Sequence, residues 1–173
     1  MIQKKVCMLG GFAVGKTSLV GRFVSSIFSE KYLSTVGVKI DKKIVSVDNR
    51  ETMLMIWDIY GQDDFQTVQP TQLRGMSGYL LVVDGTRRAT LEAARALYDQ
   101  AKATAGDVPF VVVLNKSDLA SAWEIDDVAF FKLVEQGWKV VKASAKTGDG
   151  VEHAFEILTR AMLLEPPHAH EGL

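Results

Sequence analysis

The segment Phe110–Asn115 reads FVVVLN, an unbroken apolar run with three β-branched residues. A strand with one wet face alternates apolar and polar residues. A run without alternation has both faces covered, as in the inner strands of a parallel sheet between two layers of helices. Residues 79–84 (YLLVVD) repeat the pattern, and residues 5–9 and 139–143 read as further strands. Residues 39–47 and 52–59 read as a hairpin joined by Asp48-Asn49-Arg50. Helical stretches fall between, at 16–24, 91–105 and 151–164; the last carries Val151, Ala154, Phe155, Leu158 and Met162 on one stripe. The expected fold is α/β: a three-layer sandwich with a mostly parallel six-stranded sheet, one antiparallel edge strand, and helices on both faces. Ligands bind such sheets at the carboxyl ends of the strands. Gly10, Asp58, Asn115 and Ser144 lie at or just past those ends.

Composition narrows the setting. The chain has 173 residues, 47% hydrophobic and 24% charged, with a net charge of −1. That suits one globular unit, expected at 1–164, followed by a short flexible tail at 165–173 whose two histidines read as solvated. Near-neutral charge gives no bulk attraction to nucleic acid or acidic lipid, so no nucleic-acid partner is expected. The single cysteine, Cys7, sits within Val6-Cys7-Met8-Leu9 and reads as a packed strand thiol. It excludes an intrachain disulfide and suits a reducing, cytoplasmic setting. Residue 2 is not Gly, and no Cys lies near residue 173, so no direct membrane anchor is expected in this chain.

Gly10-Gly11-Phe12-Ala13-Val14-Gly15-Lys16-Thr17 fits G-x-x-x-x-G-K-[ST] between a strand and a helix. Glycines let the backbone wrap phosphates with inward N–H groups, and the helix N-terminus adds its positive dipole end. Lys16 can reach the β- and γ-phosphates, and the Thr17 hydroxyl can ligate Mg²⁺.

A phosphate loop does not name the base. Asn115-Lys116-Ser117-Asp118, at the end of the FVVVLN strand, does. Guanine offers donors at N1 and its 2-amino group, and the Asp118 carboxylate accepts from both. Adenine lacks the 2-amino group and carries an unprotonated N1, which would leave that carboxylate unpaired. The Asn115 amide can bridge the base and neighbouring backbone, and the Lys116 stem can lie along the base face. Ser144-Ala145-Lys146 follows the last strand and would offer the Ala145 N–H to guanine O6.

With these motifs in this order the chain resembles the Ras superfamily, the Rab branch most closely, over residues 4–164. The resemblance includes residues 31–38, similar to the first switch of that branch, and Trp57-Asp58-Ile59-Tyr60-Gly61-Gln62, similar to the second. It implies a P-loop NTPase fold, GTP and GDP as bound nucleotides, and Mg²⁺ as cofactor. Nucleotide contacts would come from Ala13, Val14, Gly15, Lys16, Thr17, Ser18, Phe28, Thr35, Gly61, Asn115, Lys116, Asp118, Ser144, Ala145 and Lys146. Thr17, Thr35 and, through water, Asp58 would hold Mg²⁺. Gln62 would orient the attacking water, with Lys16 and Thr35 completing the catalytic set. Phe28 would pack edge-on against guanine or serve as a plain core aromatic, and Tyr32 would lid the phosphates or stay exposed. The partners implied are unidentified effector, exchange-factor and activator proteins.

The chain also departs from the family it resembles. Phe12 stands where a small residue is usual, Ile59-Tyr60 where Thr-Ala is usual, and Asp63-Asp64 where Glu-Arg is usual. The aromatic trio that Rab proteins present to effectors becomes Ile40, Trp57 and Gln72. Trp57 reads equally as an exposed anchor and as a half-buried strand residue. The expected activity is a guanine-nucleotide switch with slow GTP hydrolysis; the alternative is a GTP-binding interaction module that barely hydrolyses because of Phe12. A small-molecule kinase would need an arginine-rich lid, and no insertion supplies one.

Overall fold

The computed structural model describes residues 1–26, 37–59 and 68–164. In chain order these form β1 (Ile2–Gly10), α1 (Lys16–Ser25), β2 (Val38–Val47), β3 (Arg50–Ile59), α2 (Pro70–Leu73), β4 (Gly78–Asp84), α3 (Ala89–Ala105), β5 (Phe110–Asn115), α4 (Asp127–Glu135), β6 (Val140–Lys142) and α5 (Val151–Leu164). The strands build one sheet in the order β2-β3-β1-β4-β5-β6. Only the β2–β3 pair is antiparallel, and β2 lies at the edge, as the sequence pattern predicts.

The period of two along each strand sorts its side chains into two cores. Met8, Leu80, Val82, Val111 and Val113 pack with Leu19 and Phe23 of α1 and Phe155 and Leu158 of α5. The Phe23 and Phe155 rings stack with centroids 3.8 Å apart. Cys7, Leu9, Leu81, Val83, Val112 and Leu114 pack instead with Leu91 and Leu97 of α3 and Leu133 of α4. That division is why the runs show no alternation in sequence: both faces of each inner strand are dry. Burial pushes the Cys7 thiol up to about 12, so it is a packed and unreactive group.

Three of the differences from the sequence pattern have a clear physical cause. The hairpin turn is Asp48-Asn49 alone, with Val47 paired to Arg50. Both central residues have positive φ, 51° and 62°, as a two-residue turn of the type suited to strand twist requires; Arg50 therefore belongs to β3. Strand β1 starts three residues earlier than expected, where its polar end pairs with β3. The third is α4, which the pattern did not predict. Its exposed Val128, Phe131 and Val134 lie opposite buried Ala129 and Leu133, so apolar residues ring the helix and no stripe stands out. It is started by Asp126, whose side chain accepts from the Ala129 N–H at 2.8 Å.

Candidate nucleotide site

Strands β1 and β4 are neighbours, yet the helices that follow them pack on opposite faces, α1 on one and α3 on the other. A crevice opens at the carboxyl ends of such a pair. The loop from Gly10 to Gly15 lines it. Gly10 is required by space, since a Cβ there would sit 2.6 Å from the Val82 carbonyl oxygen. Gly15 is required by conformation and space, with φ of 102° and a Cβ position only 2.2 Å from Asn115 Nδ2. Ala13 adopts the left-handed region without being glycine, at φ 58°.

Lys16 is 5% exposed, and its ammonium donates to the Gly10 carbonyl at 3.0 Å. Burial lowers its pKa to about 8, partly opposed by the nearby Asp58 carboxylate. The Thr17 hydroxyl donates to Asp58 Oδ2 at 2.6 Å, and Asp58 is buried. Two hard oxygen donors beside a phosphate loop are the chemistry that Mg²⁺ takes, so these residues fit that ion. Ser18 is half-buried in the first turn of α1.

On the other side of the crevice, Asn115 is 2% exposed and its amide works in both directions. Nδ2 donates to the Val14 carbonyl at 2.9 Å, and Oδ1 accepts from the Ala145 N–H at 3.2 Å. The Lys116 ammonium crosses to the Ala13 carbonyl at 3.1 Å. Asp118 is exposed, and one of its oxygens accepts from the buried Ser144 hydroxyl at 2.7 Å. That bond sets the carboxylate's orientation. The phosphate loop and the N-K-S-D and S-A-K segments are therefore one bonded assembly. The expectations for Phe28, Tyr32, Thr35, Tyr60, Gly61 and Gln62 fall outside the described residues.

A family model described as the Ras family matches residues 5–164. The chain belongs to the Ras family. Among similar proteins, Ras-related protein Rab-1 of Theileria parva is 34% identical over 161 residues, covering 91% of this chain and 73% of that protein. Ras-related protein Rab-18-B of Danio rerio is 34% identical over 165 residues, covering 94% and 80%. Ras-related protein Rab-13 of Canis lupus familiaris is 32% identical over 171 residues, covering 97% and 84%. The chain is thus a Rab-like small GTPase: a GTP-binding switch of a class that hydrolyses GTP and works with regulator and effector proteins. Among the described residues no helix is long and apolar enough to cross a membrane.

Several residues of this Ras-family site carry no signal in sequence. Arg22 of α1 donates from Nε to the Ala145 carbonyl at 2.8 Å and from Nη2 to the Lys146 carbonyl, holding the S-A-K segment from below. Asp84, buried at the end of β4, accepts from Lys116 Nζ at 2.7 Å and from Arg87 Nε at 2.9 Å. Burial by itself would raise the Asp84 pKa; the bonds from Lys116, Thr86 and Arg87 outweigh it and hold the carboxyl below its ordinary value. A lone Asp, Arg or Thr after a strand reads as a solvated loop, and only the assembled fold brings these together.

Of the trio expected at the effector face, Trp57 is half-buried with Lys5 Nζ 3.7 Å above its ring. Ile40 is 45% exposed. The Gln72 side chain is used within α2, where its Oε1 accepts from the Gln69 N–H at 2.9 Å.

Proposed function

We propose that this Rab-like protein is a guanine-specific switch whose nucleotide-binding unit spans residues 1–164 and whose hydrolysis is slow. The observation that carries guanine binding is the Asn115 bridge. The segment that reads the base is bonded directly to the loop that wraps the phosphates, 2.9 Å from Nδ2 to the Val14 carbonyl. Asp118 then accepts from guanine N1 and the 2-amino group, and Lys16 faces the β- and γ-phosphates. Thr17 and Thr35 would hold Mg²⁺ directly and Asp58 through water; the ion supplies charge neutralisation at the β- and γ-phosphates. The γ-phosphate draws in Thr35 and the Gly61 N–H, ordering two segments, 27–37 and 60–75, and its loss releases them. Effectors read those segments together with the adjoining edge at 39–41. Gln62 orients the attacking water, and no protein nucleophile takes part.

The slow rate rests on Phe12. Its position lies on the phosphate loop, and its side chain is 46% exposed. A benzyl group turned toward the γ-phosphate displaces Gln62, and a small misplacement costs about 10²-fold in rate. It also obstructs an arginine offered by an activator, a contact worth roughly 10³–10⁵ in kcat. An intrinsic rate at or below about 10⁻⁴ s⁻¹ is expected. The exposure of Phe12 favours a second reading, in which the ring turns outward and hydrolysis proceeds at the ordinary family rate. Single-turnover hydrolysis of the parent and of Phe12→Gly separates the two. Acceleration by roughly 10²-fold in the glycine variant supports the crowded loop. Equal and measurable rates in the two establish the outward ring. A parent with no turnover over hours, unrelieved by glycine, leaves a GTP-binding module.

A further inference from the structure

Three successive carbonyls of the phosphate loop are each held by a side chain from outside it. Arg87 Nη2 donates to Phe12 O at 2.7 Å, Lys116 Nζ to Ala13 O at 3.1 Å, and Asn115 Nδ2 to Val14 O at 2.9 Å. No peptide bond among the described residues is cis. In a trans peptide the C=O and N–H of one unit point in opposite directions. A donor that fixes a carbonyl on the outside of the loop therefore aims the next residue's N–H to the inside. Asn115 aims the Gly15 N–H, Lys116 the Val14 N–H, and Arg87 the Ala13 N–H.

Lys116 and Asn115 belong to the segment that reads the base. Arg87 does not: it comes from the turn between β4 and α3. We propose that Arg87 is a positioning residue for nucleotide binding, fixing the Phe12–Ala13 peptide so that the Ala13 N–H faces the phosphates. The inference rests on the guanine-nucleotide reading above. One feature makes this peptide the one in need of a hold: Ala13 sits at φ 58° without being glycine, a conformation a loop keeps only when its surroundings fix it.

Arg87 is itself fixed. Its Nε donates to Asp84 Oδ2 at 2.9 Å, while Asp84 also accepts from the Thr86 N–H at 2.9 Å and the Thr86 hydroxyl at 2.6 Å. The same Asp84 oxygen receives Lys116 Nζ at 2.7 Å. One buried carboxylate oxygen thus sets both cations that hold the adjacent Phe12 and Ala13 carbonyls. Arg87 spans carboxylate and carbonyl from two nitrogens, Nε and Nη2, whose directions are fixed by the planar guanidinium, and a lysine at this position offers only one nitrogen.

The test is release of a fluorescent GDP analogue preloaded with Mg²⁺ into the parent, Arg87→Met and Arg87→Lys, with thermal unfolding of the loaded proteins alongside. Loss of a charge-assisted hydrogen bond that orders the loop predicts release about tenfold faster in Arg87→Met. Arg87→Lys, keeping one of two bonds, falls between. The phosphorus resonance of the β-phosphate of bound GDP shifts in Arg87→Met, since its N–H donors are re-aimed. A purely structural ion pair would lower the melting temperature and leave release and the resonance unchanged. Release within twofold of the parent in Arg87→Met overturns the proposal, and if that variant does not fold, parental release and resonance in Arg87→Lys overturn it. A parent that retains no guanine nucleotide overturns the proposed function itself, and this inference with it.

Discussion

The two sides of the crevice are built on opposite principles. On the base side the polar groups are already paired with one another: Asn115 with Val14 and Ala145, Ser144 with Asp118, Arg22 with the Ala145 and Lys146 carbonyls. The phosphate side is also bonded, Lys16 to the Gly10 carbonyl and Thr17 to Asp58, but it buries a charge: Lys16 is a cation whose pKa burial lowers to about 8. A pre-paired surface accepts only a ligand that replaces its bonds in kind, which gives selectivity. A buried cation among inward N–H groups gains from any polyphosphate, which gives affinity without selectivity.

The strongest test of that division is the choice of base. A site that bonds donors rejects an analogue lacking them by roughly 10⁴–10⁵. The parent is expected to prefer GTP over ATP by that order in equilibrium titration. In Asp118→Asn the preference falls, and xanthosine triphosphate, with an acceptor at the 2-position, gains. Comparable ATP and GTP affinity in the parent would mean that the N-K-S-D segment does not select guanine, and would overturn the guanine-specific reading.

Changes on the phosphate side have smaller effects that do not depend on the base. Thr17→Asn removes the hydroxyl that stands 2.6 Å from Asp58 Oδ2. Mg²⁺-GTP is expected to weaken by about tenfold or more, and GDP by less, because Thr17 would help hold an ion whose charge neutralisation the triphosphate needs more than the diphosphate does. Titrations with and without Mg²⁺ measure this; unchanged metal dependence would remove Thr17 from the ligand set.

How far this contrast can be read from sequence depends on chain separation. The phosphate loop is eight consecutive residues, and its strand–turn–helix setting follows from the apolar runs on either side, so it is legible at once. Asn115, Lys116 and Asp118 are equally local. The inner strands are legible because Val111 and Val113 enter one core while Val112 and Leu114 enter the other. The supports are not legible. Arg22 acts on Ala145, 123 positions away, and Arg87 acts on Phe12, 75 positions away, through ordinary polar residues in no motif. Helix α4 escapes for a different reason: with Phe131 60% exposed and Leu133 buried, its apolar residues do not share a side. The aromatic face was only half legible. Trp57 turns out half-buried under Lys5, which strand alternation alone does not decide.

The smallest expected effect is a proton, and it isolates the phosphate side completely. Lys16 has a pKa of about 8 without nucleotide, lowered from 10.5 by burial. An unfolded chain therefore holds more protons than the folded, nucleotide-free protein between those values, and stability rises with pH across that window. Phosphate beside the ammonium favours its charged form and raises the pKa again. The complex then binds more protons than the free protein near pH 8, so nucleotide binding takes up a proton and affinity falls as pH rises. With the free lysine partly deprotonated at that pH, uptake is a fraction of a proton per GDP, and affinity falls as the pH rises through the pKa of the free protein. Calorimetric titration of GDP at pH 8 in two buffers of different ionisation enthalpy measures the uptake directly. Asp118→Asn, altered only on the base side, is expected to show the same uptake at weaker affinity. No proton taken up by the parent would mean that Lys16 is fully charged before the nucleotide arrives. The phosphate side would then be as well paired as the base side, and the contrast between them would fail.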